Sequence, residues 1–109
     1  MDRLAQLLEY LEEDPEDAFT HFALALEYAK RGENESALHT FERLVADHSD
    51  YVGAYYHLGA LYQRLGRTDS AIETYRAGIL VAEKQRDAHA KAELQSVLLE
   101  AQGVGFDDD

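Results

Sequence analysis

The sequence predicts an all-α protein, a solenoid of helical hairpins with about five helices, and three observations carry that prediction. First, the 109-residue chain repeats itself at an offset of 34: Leu24 falls on Leu58, Tyr28 on Tyr62, Gly32 on Gly66, Ser36 on Ser70, Ala37 on Ala71 and Thr40 on Thr74. Phe22 meets Tyr56, Ala25 meets Gly59, Phe41 meets Tyr75 and Val45 meets Ile79 in the same register, so size repeats along with identity. Second, the apolar positions inside each unit recur at helical spacing and not at the alternation of strands. Third, Gly32 and Gly66 stand where each first helix must end, as glycine does beyond a helix C-terminus.

The elements follow in order. Residues 3 to 13 put Leu4, Leu7, Leu8 and Leu11 on one stripe, which reads as a half repeat capping the N-terminal end. Asp14 and Pro15 suit the N-cap and first turn of the next helix. Residues 18 to 31 and 52 to 65 form the first helices of two repeats that span about 18–51 and 52–85. Asn34 and Thr68 are candidate N-caps of the second helices, which run to about Ala46 and Ala82. Residues 86 to 101 carry Ala88, Ala92, Leu94, Val97, Leu98 and Ala101 as a capping helix. Residues 1–102 are read as one domain, and 103–109, ending in three aspartates, as a mobile acidic tail.

Helices cross closely only where a small residue of one faces a large residue of the other. Ala25, Ala37, Gly59 and Ala71 are therefore expected as the holes of the hairpin seams, with Tyr28, Tyr62, Phe41 and Tyr75 as the knobs. His21, Tyr55 and His89 recur at intervals of 34 and are expected to share a packing role.

Leu24-Ala25-x-x-Tyr28-x-x-x-Gly32 with Ala37-x-x-x-Phe41, and Leu58-Gly59-x-x-Tyr62-x-x-x-Gly66 with Ala71-x-x-x-Tyr75, resemble two tetratricopeptide repeats (TPRs). The likeness covers residues 18 to 85. It departs from the family at His21 and Tyr55, where a Trp is usual, and at Ser49 and Glu83, where a proline between repeats is usual, so those junctions are expected to be straighter. The resemblance implies a protein–protein interaction module whose first helices line a concave groove. The groove residues it implies are Phe22, Leu26, Lys30, Tyr56, His57, Ala60, Gln63, Arg64, Lys91 and Leu94. Lys30, Arg64 and Lys91 would draw an acidic or C-terminal peptide there, unless they only balance neighbouring acids. The Lys and Asn clamp of family members that hold chaperone C-termini is missing, since Phe22, Ala23 and Leu26 stand at its positions. An extended ligand with apolar side chains fits better.

Other chemistries find little support. No cysteine is present, which removes thiolate nucleophiles, disulfides and cysteine-type zinc sites, and suits the reducing cytoplasm. No two of the five histidines sit at i and i+4, so no metal or other cofactor is expected. Adjacent acids such as Glu12 and Glu13 point apart on a helix, and there is no phosphate loop or nucleophile elbow, so the chain is not read as an enzyme. The start, Met1-Asp2-Arg3-Leu4, resembles neither a signal peptide nor a membrane span. The alternatives are a homodimer through the last helix, where Leu94, Val97, Leu98 and Leu99 cannot all face the second repeat, and an accessory domain of an enzyme complex.

The net charge of -12, from 22 acids and ten bases, disfavours nucleic acid and anionic membranes as partners. Only three of the bases are lysine, and an acid-rich, lysine-poor surface is what suits a protein kept soluble at high salt. Acids crowded on so small a surface repel one another, and the folded-state pKa values of the unpaired surface acids are expected to rise. Sodium chloride is therefore expected to stabilise the fold. Between about 0.1 M and 1 M the screening length shortens from about 10 Å to about 3 Å. Thermal melts across that range test this, with sulfate run in parallel to separate salting-out. A flat or falling melting temperature in sodium chloride would mean that the bases already neutralise the acids locally.

Overall fold

The computed structural model describes residues 2–103, and the described residues are helical with no strand. Six helices follow one another: α1 (Arg3–Glu13), α2 (Ala18–Lys30), α3 (Asn34–Asp47), α4 (Val52–Arg64), α5 (Thr68–Gln85) and α6 (Ala88–Ala101). Two hairpins supply four of them and each flank one more, the six segments expected one by one, so the expected total of about five is one short. Residues 104–109 of the expected acidic tail lie outside the described residues. The chain forms two compact units that meet within α4, at Ala54 and Tyr55.

In the first unit α1 is started by Asp2, whose carboxylate accepts the Ala5 N–H at 2.8 Å. Leu7 of α1 is buried with Ala23 and Leu24 of α2, and Leu4, Leu11 and Tyr28 pack around them. Tyr28, expected in the α2–α3 seam, thus packs against the cluster that α1 shares with α2. Leu8, counted on the same stripe, is exposed. The start of α2 also differs from expectation. Asp17, not Asp14, is its N-cap, accepting the Thr20 N–H at 3.0 Å and the Thr20 hydroxyl, while the Asp14 N–H closes α1 by donating to Tyr10 O.

Both cap carboxyls are engaged and are held below the ordinary aspartate value, so they stand apart from the unpaired acids expected to rise. The cause at Asp17 is the Thr20 hydroxyl and then its N–H; at Asp2 it is the Ala5 N–H, with the Arg31 charge adding to it. A depressed folded-state pKa stabilises above the unfolded value near 3.8 and is lost as pH falls through the folded value. These caps therefore remain intact at the pI of about 4.6.

Gly32 and Gly66 have the same φ of +77°, the left-handed conformation that a residue with a Cβ adopts only at a cost. Each closes its helix with a matched pair of hydrogen bonds, Gly32 N to Ala29 O with Glu33 N to Tyr28 O, and Gly66 N to Gln63 O with Arg67 N to Tyr62 O. The next helices begin at Asn34 and Thr68, inside the helix and not at its cap; Glu33 and Arg67 hold the cap positions and make no side-chain cap bond. Between α2 and α3 the seam is as expected: Ala25 and Ala37 have no exposed surface, and Phe41 and Leu44 are buried beside them.

In the second unit α4 lies against the Tyr75 ring of α5 at Gly59. A Cβ built there would lie 2.2 Å from Tyr75 Cε1. Tyr75 is 1% exposed, donates its hydroxyl proton to Gln63 Oε1 at 2.6 Å, and burial pushes its phenol up to about 12. A second hole, at Gly78, was not marked by the 34-residue register: a Cβ there would meet Tyr55 Cβ at 2.6 Å and Leu94 Cδ1 at 3.1 Å, so α5 touches both α4 and α6 at this glycine. The three residues expected to share a packing role diverge. Tyr55 is buried, His21 is half-buried and its Nε2 lies 2.7 Å from Pro15 O, and His89 is exposed with its Nε2 3.3 Å from Glu93 Oε2.

With Glu83 where a proline would break the helix, α5 passes Ala82 and runs to Gln85. It ends in the same paired motif as α2 and α4, Arg86 N to Glu83 O and Asp87 N to Ala82 O, but the left-handed residue is Arg86, with φ 58° and ψ 36°. Asp87 then caps α6 by accepting the Ala90 N–H at 3.0 Å.

Two predictions follow from the packing and the backbone. Gly59→Leu forces its side chain into the Tyr75 ring and is expected to cost about 3 kcal/mol or more, whereas at Gly53 an added Cβ meets its nearest atom only at 3.9 Å and Leu is expected to cost less than about 1 kcal/mol. Thermal melts compare the two, and equal melting temperatures would remove the seam assignment. Arg86→Gly relieves the left-handed penalty of about 1–2 kcal/mol but adds glycine's chain entropy of about 0.5–1 kcal/mol, so urea unfolding should show a net gain of up to about 1.5 kcal/mol.

Candidate binding surface

The residues singled out for binding divide between the two units. In the first, Phe22, Leu26 and Lys30 rise along α2. Phe22 is committed to an aromatic cluster, its ring centroid 5.2 Å from Tyr51 and 6.3 Å, edge-on, from Phe41. Leu26 is half-buried and Lys30 exposed. In the second unit Tyr56, His57, Ala60, Gln63 and Arg64 rise along α4. Tyr56 and Ala60 are half-buried, and His57, Gln63 and Arg64 are exposed. The Tyr56 and His57 rings meet edge to face at 5.5 Å. His57 is exposed overall, but partial desolvation of its ring pulls the imidazole below its ordinary range, a fall that the Glu93 carboxylate opposes.

On α6, Lys91 reaches Glu83 Oε2 at 3.0 Å, so this base balances a neighbouring acid. Leu94 is 2% exposed against Gly78 and offers its side chain to the hairpin interior. Gln63, read only as a groove residue, also anchors Tyr75. Its position one turn before Gly66 gives no hint of that bond. The apolar excess of α6 lies as expected: Val97 and Leu98 are half-buried and Leu99 is 49% exposed.

Among the described residues no three His, Asp or Glu side chains converge on a metal-sized site, and no helix is long and apolar enough to cross a membrane. A small cavity of about 130 Å³ in the first unit is lined by His21, His39, His48 and Arg43 together with Glu16 and Asp47. Asp47 sits 3.6 Å from Arg43, one turn away on α3. What these helices present is surface: half-buried Leu26 and Tyr56, with single cations toward the ends of α2 and α4.

The description "Tetratricopeptide repeat" belongs to the family model that matches residues 22–89. The solution structure of a tetratricopeptide repeat domain protein from Salinibacter ruber is 48% identical, with 87% of this chain and 96% of that one aligned at a TM-score of 0.79. The crystal structure of the tetratricopeptide repeat domain protein from the same organism is also 48% identical, over 84% of this chain and 100% of that one, at a TM-score of 0.77. A protein from Bordetella parapertussis shares the fold at 22% identity, over 94% of this chain and 89% of that one, with a TM-score of 0.80. No curated protein sequence matches the chain. The matched span covers both predicted repeats from Phe22 onward, and the chain belongs to the tetratricopeptide repeat family.

Proposed function

We propose that this chain is a protein–protein interaction module that binds a peptide segment of a partner along the first helices of its hairpins, and that it is not an enzyme. Residues 1–102 act as one domain in this reading, with α2 and α4 each contributing a strip. The observation that carries it is the partial exposure of Leu26 and Tyr56, apolar side chains on the first helices of a tetratricopeptide repeat protein. Open apolar side chains mark a contact site where they gather into a patch, whereas single ones are ordinary surface.

The working set is Leu26, Lys30, Tyr56, His57, Ala60 and Arg64. Phe22 and Gln63 serve the surface indirectly, since the first packs on Tyr51 and the second holds Tyr75. Apolar residues would supply most of the affinity and the cations would orient an acidic or C-terminal end of the ligand. An acidic chain without cysteine suits work in the reducing cytoplasm.

Leu26→Asp and Tyr56→Ala are each expected to reduce recovery of the native partner from lysate at least about tenfold, the loss of one well-placed apolar contact. Circular dichroism should show unchanged helix content, because neither residue is fully buried. Full recovery by both variants would move the binding surface elsewhere.

A further inference from the structure

The charge of this chain is not evenly spread. Over residues 74–92 bases outnumber acids four to two, Arg76, Lys84, Arg86 and Lys91 against Glu83 and Asp87, although acids outnumber bases more than two to one in the whole chain. Both acids are already engaged, Glu83 with Lys91 at 3.0 Å and Asp87 with the Ala90 N–H. Arg76 and Lys84 are exposed and form no ion pair among the described residues.

Between them stands Leu80, which at 66% is the most exposed large apolar side chain of the described residues. The spacing 76, 80, 84 sets the three one turn apart on one face of α5, with exposed Ala77 beside them and exposed Glu73 one turn before Ala77. An isolated exposed leucine needs no explanation. A leucine flanked at both neighbouring turns by unpaired cations, in a chain of charge -12, is different. Cations on an acidic protein should find acids, and these two have none.

We propose that the Arg76–Leu80–Lys84 stripe of α5 docks an acidic amphipathic helix of a partner protein, one that lays an apolar side chain on Leu80 and places a carboxylate one turn to either side. Charge complementarity selects this occupant, because the stripe is a positive island on a negative surface and a helix matches its spacing of one turn. The docking is independent of the surface on α2 and α4. Ala77, with only a methyl group, leaves room for the incoming helix to come close.

The probe is a fluorescein-labelled, side-chain-stapled, alanine-based peptide of about 15 residues, long enough for a continuous helix, with one Leu and a Glu four residues to either side. A control peptide carries Gln for both Glu. Anisotropy titrations of the intact protein at low ionic strength should show the Glu peptide binding at least about fivefold more tightly than the control. About 0.5 M sodium chloride should weaken that preference. Leu80→Ser and the double variant Arg76→Glu with Lys84→Glu should each weaken binding about tenfold or more, and the milder Lys84→Gln should weaken it less. Circular dichroism confirms that the variants are folded. Absence of binding, equal binding of the two peptides, or unchanged binding by the variants would overturn the proposal. So would a concentration-dependent rise in mass by sedimentation equilibrium that Leu80→Ser abolishes, because the stripe would then belong to a second copy of the chain.

Discussion

The contact of Gly59 with the Tyr75 ring sets the geometry of the second hairpin. A helix axis can come this near an aromatic ring only where the facing position has no side chain, and a single Cβ at Gly59 would stand 2.2 Å from the ring. The consequences run outward. With the ring fully inside, its hydroxyl needs an acceptor, and Gln63, four residues further along α4, supplies one. Gln63 is thereby fixed and Tyr75 stays un-ionised at any ordinary pH. At Gly78 α5 repeats the device against Tyr55 and Leu94, so the middle helix of this unit is clamped on two sides through positions that lack a Cβ.

The first unit solves the same problem with alanine. Ala25 and Ala37 are wholly buried, Phe41 is as deeply buried as Tyr75, and the Phe22 ring meets Phe41 edge-on and Tyr51 at a tilt. Two repeats with one backbone plan thus use different small residues at the seam, alanine at Ala25 and glycine at Gly59. The 34-residue register made the plan readable because backbone demands repeat with the backbone: the left-handed glycines at 32 and 66 share one φ value and one pair of closing hydrogen bonds.

What the register could not reveal is whatever a neighbour decides. Gly78 has no counterpart glycine one repeat earlier, where Leu44 fills the position, so its role depends on how Tyr55 of α4 and Leu94 of α6 pack against it. Asp14 and Asp17 are equally good caps by residue type, and the choice of Asp17 follows from Pro15 and Glu16 being used for the turn. His21, Tyr55 and His89 share a position but not surroundings, so one turned inward and two found partners of their own. For the binding surface the difficulty is sharper. Half the side of a helix can be assigned from spacing, but not which of its polar residues serve the interior, as Gln63 and Lys91 do.

Charge has the same double use. Asp2, Asp17 and Asp87 spend their carboxylates on helix starts, where the free N–H groups and the positive end of the dipole stabilise them. At Asp2 and Asp17 these bonds hold the carboxyl below its ordinary range, so the two do not behave as members of a repelling crowd. The self-repulsion of a chain of charge -12 therefore falls on the remaining, surface-facing carboxylates, and any region with an excess of cations is a local minimum in that field. Residues 74–92 are such a region. Their cations lie on α5, its closing turn and α6, whereas the half-open apolar residues of α2 and α4 lie on the first helices. A repeat whose first helix carries open apolar side chains and whose second carries cations keeps the two kinds of surface on different side chains.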